Sequence, residues 1–393
     1  MSPFKESSID GFSLEKAQVL VPETEKVLTA IGAAADGLYI GMRDGNIHRL
    51  WRQGYAAGQK LQEVPLPVKG SFSLAGVRPD LGGVLLELEG WTRARQVYAV
   101  SADGQVRNTV LQPAGPFDAP RDVVADEVMV KSHDGAMVPM SIIHKRGVKL
   151  DGRNPVMLYG YASYGMAEEP FFSYNRLAWM DAGGVYAVAN PRGSGVFGNA
   201  WYEAGRKATK PNTWKDFIAC AEYLVDRGWT TPQRLSIWGG SAGGILVGRA
   251  MTERPDLFAA VVSEVGALDM VRGETTPNGV PNIPEFGSVA TEAGFRALLE
   301  MSTYHQVKDG TPYPAVLLLH GANDPRVEPW MSTKTAARLM AATTSGKPVL
   351  LRLDYQAGHG VGSTKSQVLD EVADIYAFSL WQSGVPGFGL TQP

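Results

Sequence analysis

Leu235-Ser236-Ile237-Trp238-Gly239-Gly240-Ser241-Ala242-Gly243-Gly244-Ile245-Leu246-Val247 is an apolar run that meets Gly-x-Ser-x-Gly and continues into a stretch with helical spacing. A strand, a tight turn and a helix in that order lift a serine hydroxyl above the end of a sheet. Gly239 and Gly243 carry no Cβ, so strand and helix can close in on either side of the turn. The free N–H groups of the helix N-terminus then face the reacting centre. Ser241 is therefore a candidate nucleophile. The alternative is a glycine-rich turn without chemistry.

A serine hydroxyl is a weak nucleophile near neutral pH and needs a base. In α/β-hydrolases the chain order is serine, acid, histidine. The histidines after Ser241 are His305, His320 and His359. His305 lies in an irregular stretch, and His320 ends an apolar run, where a structural role is the simpler reading. His359 sits in Ala357-Gly358-His359-Gly360, a loop between the last strand-like run and the last helical one, so it is the expected base. For the acid, Asp324 in Gly321-Ala322-Asn323-Asp324-Pro325-Arg326 comes after the run Ala315–Leu319 and can orient the imidazole. Asp354 and Asp269 remain rivals. Asp354 is close in sequence to His359, and Asp269 opens the irregular stretch.

Outward from these loops the chain has two textures, which meet near residue 120. Residues 25–112 read as short alternating segments. Gly37–Met42 and Ile47–Trp51 flank Asp44-Gly45, a hairpin signal because the tight turn needs positive φ. Val84–Leu88 and Gln96–Val100 look like further strands. From about residue 125 a hairpin at Asp134-Gly135 leads into apolar runs at 155–159, 185–189, 235–238, 259–262, 315–319 and 349–353. Helices are expected over 214–227, 244–252, 332–342 and 368–382. Near-continuous apolar strands alternating with helices predict a parallel sheet covered on both faces. Residues 267–310, rich in Gly, Pro and Thr, look like an excursion over the edge of that sheet. The expected architecture is α/β: a doubly wound α/β-hydrolase sheet over 121–393, with an antiparallel β appendage over 1–120.

Composition narrows the function. The 393 residues are 44% hydrophobic and 20% charged, close to a soluble globular average. With 37 Lys+Arg against 40 Asp+Glu there is no basic surplus to grip a phosphate backbone, and nucleic acid is not an expected partner. The single cysteine, Cys220, excludes an internal disulfide framework and a thiolate metal cluster. No His-Glu-x-x-His or EF-hand pattern occurs, so neither a metal nor another cofactor is expected. Gly193-Ser194-Gly195-Val196-Phe197-Gly198 matches the dinucleotide pattern, but the next segment is aromatic rather than clearly helical. Met1–Ser7 has no signal pattern, and no run of about 18 apolar residues suggests a membrane span. A cytoplasmic protein without membrane contact is the expectation.

The same residues carry a family resemblance. From about 125 to 385 the chain resembles the catalytic domain of the prolyl oligopeptidase family, serine peptidases of the α/β-hydrolase fold. The matching pieces are Leu158–Tyr161, Val188–Gly195, Gly239–Gly244, Asp324–Pro329 and Ala357–Gly360, in the family's order. The resemblance implies that Tyr161 donates its hydroxyl to an oxyanion hole beside the backbone N–H of Ala242. It also implies that Arg326 binds a substrate carbonyl, and that the substrate is a small peptide.

The resemblance also has departures. The family caps its hydrolase with a β-propeller, yet about 120 residues at ~40–50 per blade make only two to three blades. The chain thus resembles a member lacking N-terminal blades, and self-association through residues 1–120 is expected because an open fan leaves edges unpaired. Proline-selective members stack a tryptophan on the substrate proline just before an Asp-Tyr-Gly-like step. The comparable Asn282-Ile283-Pro284-Glu285-Phe286-Gly287 has none, which counts against strict proline selectivity. Ala162-Ser163 come after Tyr161 where the family favours glycines. A carboxylesterase acting on small acyl esters is the alternative reading. A non-catalytic scaffold on a hydrolase fold and a dinucleotide oxidoreductase are the outsiders.

Overall fold

The computed structural model describes residues 19–56, 58–360 and 363–390. Met1–Ser7, the stretch without a signal pattern, lie outside the described residues.

The N-terminal region forms two antiparallel four-stranded sheets. The first runs β1 (Val27–Ala34), β2 (Gly37–Asp44), β3 (Ile47–Gln53) and β4 (Gln62–Val64), each paired to the next. The second is β5 (Ser71–Gly76), β6 (Val84–Gly90), β7 (Arg93–Val100) and β8 (Val106–Asn108), again in chain order. Gly45 turns β2 into β3 at φ 65°, the conformation a two-residue hairpin demands. Tyr39, Leu50, Phe72, Leu86 and Leu88 bury a shared apolar core between the two sheets.

The rest of the chain builds one eight-stranded sheet. Its strands are β9 (Val123–Lys131), β10 (Met137–Lys145), β11 (Val156–Tyr159), β12 (Val185–Ala189), β13 (Leu235–Gly240), β14 (Ala260–Glu264), β15 (Ala315–Gly321) and β16 (Val349–Asp354). They lie in the order β16-β15-β14-β13-β11-β12-β10-β9. The β9–β10 and β10–β12 pairs are antiparallel, and all the others are parallel. Alternation along the central strands divides the core in two. Val156, Leu158, Ile237, Val261 and Leu318 face the helices Pro211–Asp226, Gly243–Glu253 and Trp330–Ala342. Met157, Val262, Leu317 and Leu319 face Tyr174–Asp181 and Lys365–Gln382. At about 1.5–3 kcal/mol per fully buried large apolar side chain, these two layers dominate stability.

The stretch 267–310 is more ordered than its composition suggests. It holds helices Met270–Gly273, Ile283–Phe286, Glu292–Met301 and Thr303–Gln306. It connects β14 to β15, which are neighbours inside the sheet. Part of it packs into the core on one face of the sheet, and part lines the cavity that holds Ser241.

The first N-terminal sheet meets β10 of the large sheet and the loop carrying Glu169 through polar contacts. Arg43 pairs with Glu169, His48 Nε2 lies 3.1 Å from Glu169, and the Asn46 amide donates to Ser141 Oγ at 2.8 Å.

Candidate active site

Ser241 sits directly after β13, on the turn into the helix Gly243–Glu253. Its backbone is left-handed, at φ 54°, a conformation that costs an L-residue about 1–2 kcal/mol. Three bonds hold it there: its N–H donates to Glu264 O at 2.8 Å, and its carbonyl accepts from the N–H groups of Ala267 and Gly244, both at 2.9 Å. Gly239 has to be glycine, since a Cβ on it would lie 2.5 Å from Gly243 O.

His359 hangs from the loop after β16. Its Nδ1–H donates to Asp324 Oδ2 at 2.6 Å, which leaves Nε2 to accept the Ser241 hydroxyl at 2.9 Å. The loop reaches the strand ends because Gly321 has no side chain; a Cβ there would lie 2.6 Å from Ala357 O. Asp324 is buried in the turn after β15. Burial alone would raise its pKa. Hydrogen bonds from His320 and His359, and from the N–H groups of Val327 and Arg326, outweigh burial and hold the carboxyl well below the usual carboxylate range. A relay of this form can take the serine proton onto the imidazole and stabilise the resulting cation.

The other candidates separate cleanly. His320 donates Nε2–H to Val327 O at 2.8 Å and accepts from Ser332 Oγ at 2.7 Å, and its Nε2 is 3.3 Å from Asp324 Oδ2. It is thus a strand-end histidine that also braces the acid. His305 bonds Ser302. Asp269 caps the helix Met270–Gly273 and pairs with Lys334 at 2.6 Å, and Asp354 accepts Gln356 N–H at 2.8 Å. Neither carboxylate bonds His359 among the described residues. The glycines 193–198 lead into a five-residue helix, Asn199–Glu203, and Gly195 O accepts from Arg43 of the first sheet.

A cavity of about 310 Å³ opens over Ser241 and His359. Tyr161, Ala242 and Arg326 all line it. The Tyr161 hydroxyl shares that cavity with Ser241; burial raises the phenol pKa, so it remains a proton donor at neutral pH. Met270, Phe286, Leu298 and Met331 make one wall apolar, and Asn282 adds an amide. The apolar wall was not legible in the sequence, because a methionine or leucine in a loop carries no mark of what it faces. Among the described residues no cluster of three or more His, Cys, Asp or Glu could hold a metal ion, and no helix is long and apolar enough to cross a membrane.

Residues 170–385 match the model of the prolyl oligopeptidase family. The prolyl endopeptidase of Elizabethkingia miricola is 35% identical over 329 residues, 84% of this chain and 46% of that protein. That of Elizabethkingia meningoseptica is 39% identical over the same shares. The chain spans about half the length of these curated relatives. Among solved structures, a prolyl endopeptidase superposes with a TM-score of 0.86 at 35% identity, over 95% of this chain and 55% of that one. Oligopeptidase B from Leishmania major gives 0.84 at 28%, over 94% and 53%. The sequence match runs through the serine turn and through both loops that meet it, and the solved relatives superpose on the sheet that carries them: the chain belongs to the prolyl oligopeptidase family.

Proposed function

We propose that the protein is a serine peptidase that cleaves peptide bonds in small peptides through an acyl-enzyme. The observation that carries the reading is the unbroken relay from Asp324 through His359 to Ser241, at 2.6 and 2.9 Å. His359 accepts the proton as Ser241 Oγ attacks the scissile carbonyl, and the C–O bond forms. The Tyr161 hydroxyl and the Ala242 N–H stabilise the oxyanion. His359 then protonates the departing amine, and water repeats the sequence to release the acid. Arg326, at the cavity mouth, binds a substrate carbonyl. The apolar wall favours an apolar side chain beside the scissile bond.

The named relatives are peptidases, and the ester alternative is not favoured. We also propose that residues 1–120 are a partial propeller and 121–393 the catalytic domain. Supporting this division, each N-terminal sheet is a four-stranded antiparallel meander, the unit of a propeller blade. A cytoplasmic location and self-association through the N-terminal sheets complete the proposal.

The test is a substrate panel. Purified protein is assayed on proline-containing and proline-free peptidyl amides and on p-nitrophenyl butyrate, with fluorophosphonate labelling in parallel. Faster amide than ester turnover, with labelling lost in Ser241→Ala, is expected. Ester turnover alone would overturn the peptidase reading, and labelling that survives in Ser241→Ala would overturn the choice of nucleophile.

A further inference from the structure

Two residues just after Tyr161 have left-handed backbones although neither is glycine: Ala162 at φ 54° and Tyr164 at φ 58°. Such conformations cost L-residues steric energy and persist only where the surroundings over-determine them. Here the surroundings are a buried charge pair. Lys210, fully buried on the turn before the helix Pro211–Asp226, donates to Ala162 O at 2.9 Å and to Ser163 Oγ at 2.5 Å. Its Nζ is 3.6 Å from Glu285 Oε1. Glu285, also buried, accepts Tyr164 N–H at 3.0 Å on Oε1 and the Tyr202 hydroxyl at 2.6 Å on Oε2. Each of the three residues after Tyr161 is therefore tied to the pair.

Glu285 lies in the helix Ile283–Phe286, next to Phe286 of the cavity wall. The Tyr164 hydroxyl donates to Asn282 Oδ1 at 2.8 Å, and its ring meets Phe286 edge-on at 5.6 Å. The loop bearing Tyr161 and the wall that receives substrate are thus one bonded unit. Burying a lysine and a glutamate together is costly against an apolar filling, so this arrangement is not explained by stability alone. Burial pulls the Lys210 ammonium down to about 8, with Glu285 opposing, so Lys210 still carries its charge near neutral pH.

We propose that Lys210 and Glu285 are positioning residues for catalysis: their buried bridge holds the strained 161–164 loop so that the Tyr161 hydroxyl stays aimed at the oxygen of the carbonyl that Ser241 attacks. This rests on the roles proposed above for Tyr161 and Ser241.

A double-mutant cycle tests it on the full chain, with fluorophosphonate labelling rate and peptidyl p-nitroanilide hydrolysis as readouts. Glu285→Gln should lower kcat about tenfold with KM within about twofold. In a Tyr161→Phe background the same change should cost less than about twofold, because the group being aimed is gone. Ala162→Gly, which relaxes the strained position, should restore part of the loss. Equal losses in both backgrounds, or a change confined to KM, would overturn the proposal. If Glu285→Gln does not fold, Tyr202→Phe removes one hydroxyl from the same carboxylate and must show the same dependence on Tyr161. A loss in Tyr202→Phe that ignores Tyr161 overturns the proposal equally. Labelling that survives in Ser241→Ala would sink the nucleophile and this inference with it. Labelling lost in Ser241→Ala, with equal losses in the two Tyr161 backgrounds, would sink this inference alone.

Discussion

Asp324 reaches His359 with one carboxylate oxygen, Oδ2 at 2.6 Å from Nδ1, while its other oxygen accepts the N–H groups of Arg326 and Val327 at 2.8 and 3.0 Å. The acid is held by its own turn as well as by the imidazole. Its pKa is depressed in the folded protein, so its favourable contribution is in place above the unfolded value of about 3.9 and is lost as pH falls through the lower folded value. Activity lost above about pH 5 therefore has another origin than Asp324. Asp324→Asn should keep the fold and lower kcat by about 10⁴. Steady-state kinetics on a peptidyl amide checks this, and a rate within tenfold of the parent removes Asp324 from the relay.

Tyr161→Phe deletes one hydroxyl at the reacting centre and nothing from the core. The expected loss is about 10²–10³ in kcat with little change in KM, the pattern of an interaction made in the transition state. An unchanged kcat would leave the oxyanion to backbone donors alone.

The fold and the relay were legible for different reasons. Val185–Ala189 is a strand over the same five residues in sequence and structure, because all five are buried and nothing polar blurs the ends. The last helix starts earlier than its apolar pattern, at Lys365. Its first turn is polar and is fixed by the Thr364–Gln367 capping box instead. The helix expected from Trp214 starts at Pro211, where the missing N–H costs nothing. Gln62–Val64 and Val106–Asn108 are too short to show alternation. Ser241, Asp324 and His359 stand in loops bounded by Gly or Pro between strong periodic elements, so their places could be inferred. Lys210 and Glu285 could not: a charged residue reads as exposed until tertiary structure buries it.

Phe286 forms part of the apolar wall beside Ser241. Phe286→Ala should cut kcat/KM about 10–200-fold for peptides with a bulky apolar residue at the scissile bond, mostly through KM. Peptides with a small residue there should lose less. Equal losses across the panel would mean that the wall does not read the substrate.

On the opposite face of the sheet, Glu168 and Glu264 border a second cavity of about 240 Å³. Burial pushes the Glu168 carboxyl up to about 7 despite Arg176. Burial, reinforced by Glu371, does the same to Glu264, despite a hydrogen bond from Trp238. A raised carboxyl binds its proton more tightly folded than unfolded, so stability falls as pH rises from about 4.3 to 7 and then levels. Glu168→Gln should flatten that slope and raise Tm at pH 8, by about 1–2 °C for each kcal/mol recovered. Calorimetry at pH 5 and pH 8 reads both, and an unaltered slope would show the carboxylate to be well solvated.

β1 is an edge strand, paired only with β2 among the described residues, and it exposes Leu28 and Ile31 by 49% and 53%. An open edge carrying apolar side chains offers both unpaired backbone groups and apolar area to a second chain. The proposed self-association should therefore appear as a dimer or larger species by light scattering at micromolar concentration. Ile31→Lys places a charge where a partner strand would dock and should return the protein to a monomer, with peptide hydrolysis retained because the relay lies on the other sheet. A parent protein that is already monomeric at that concentration would end the case for association through this edge.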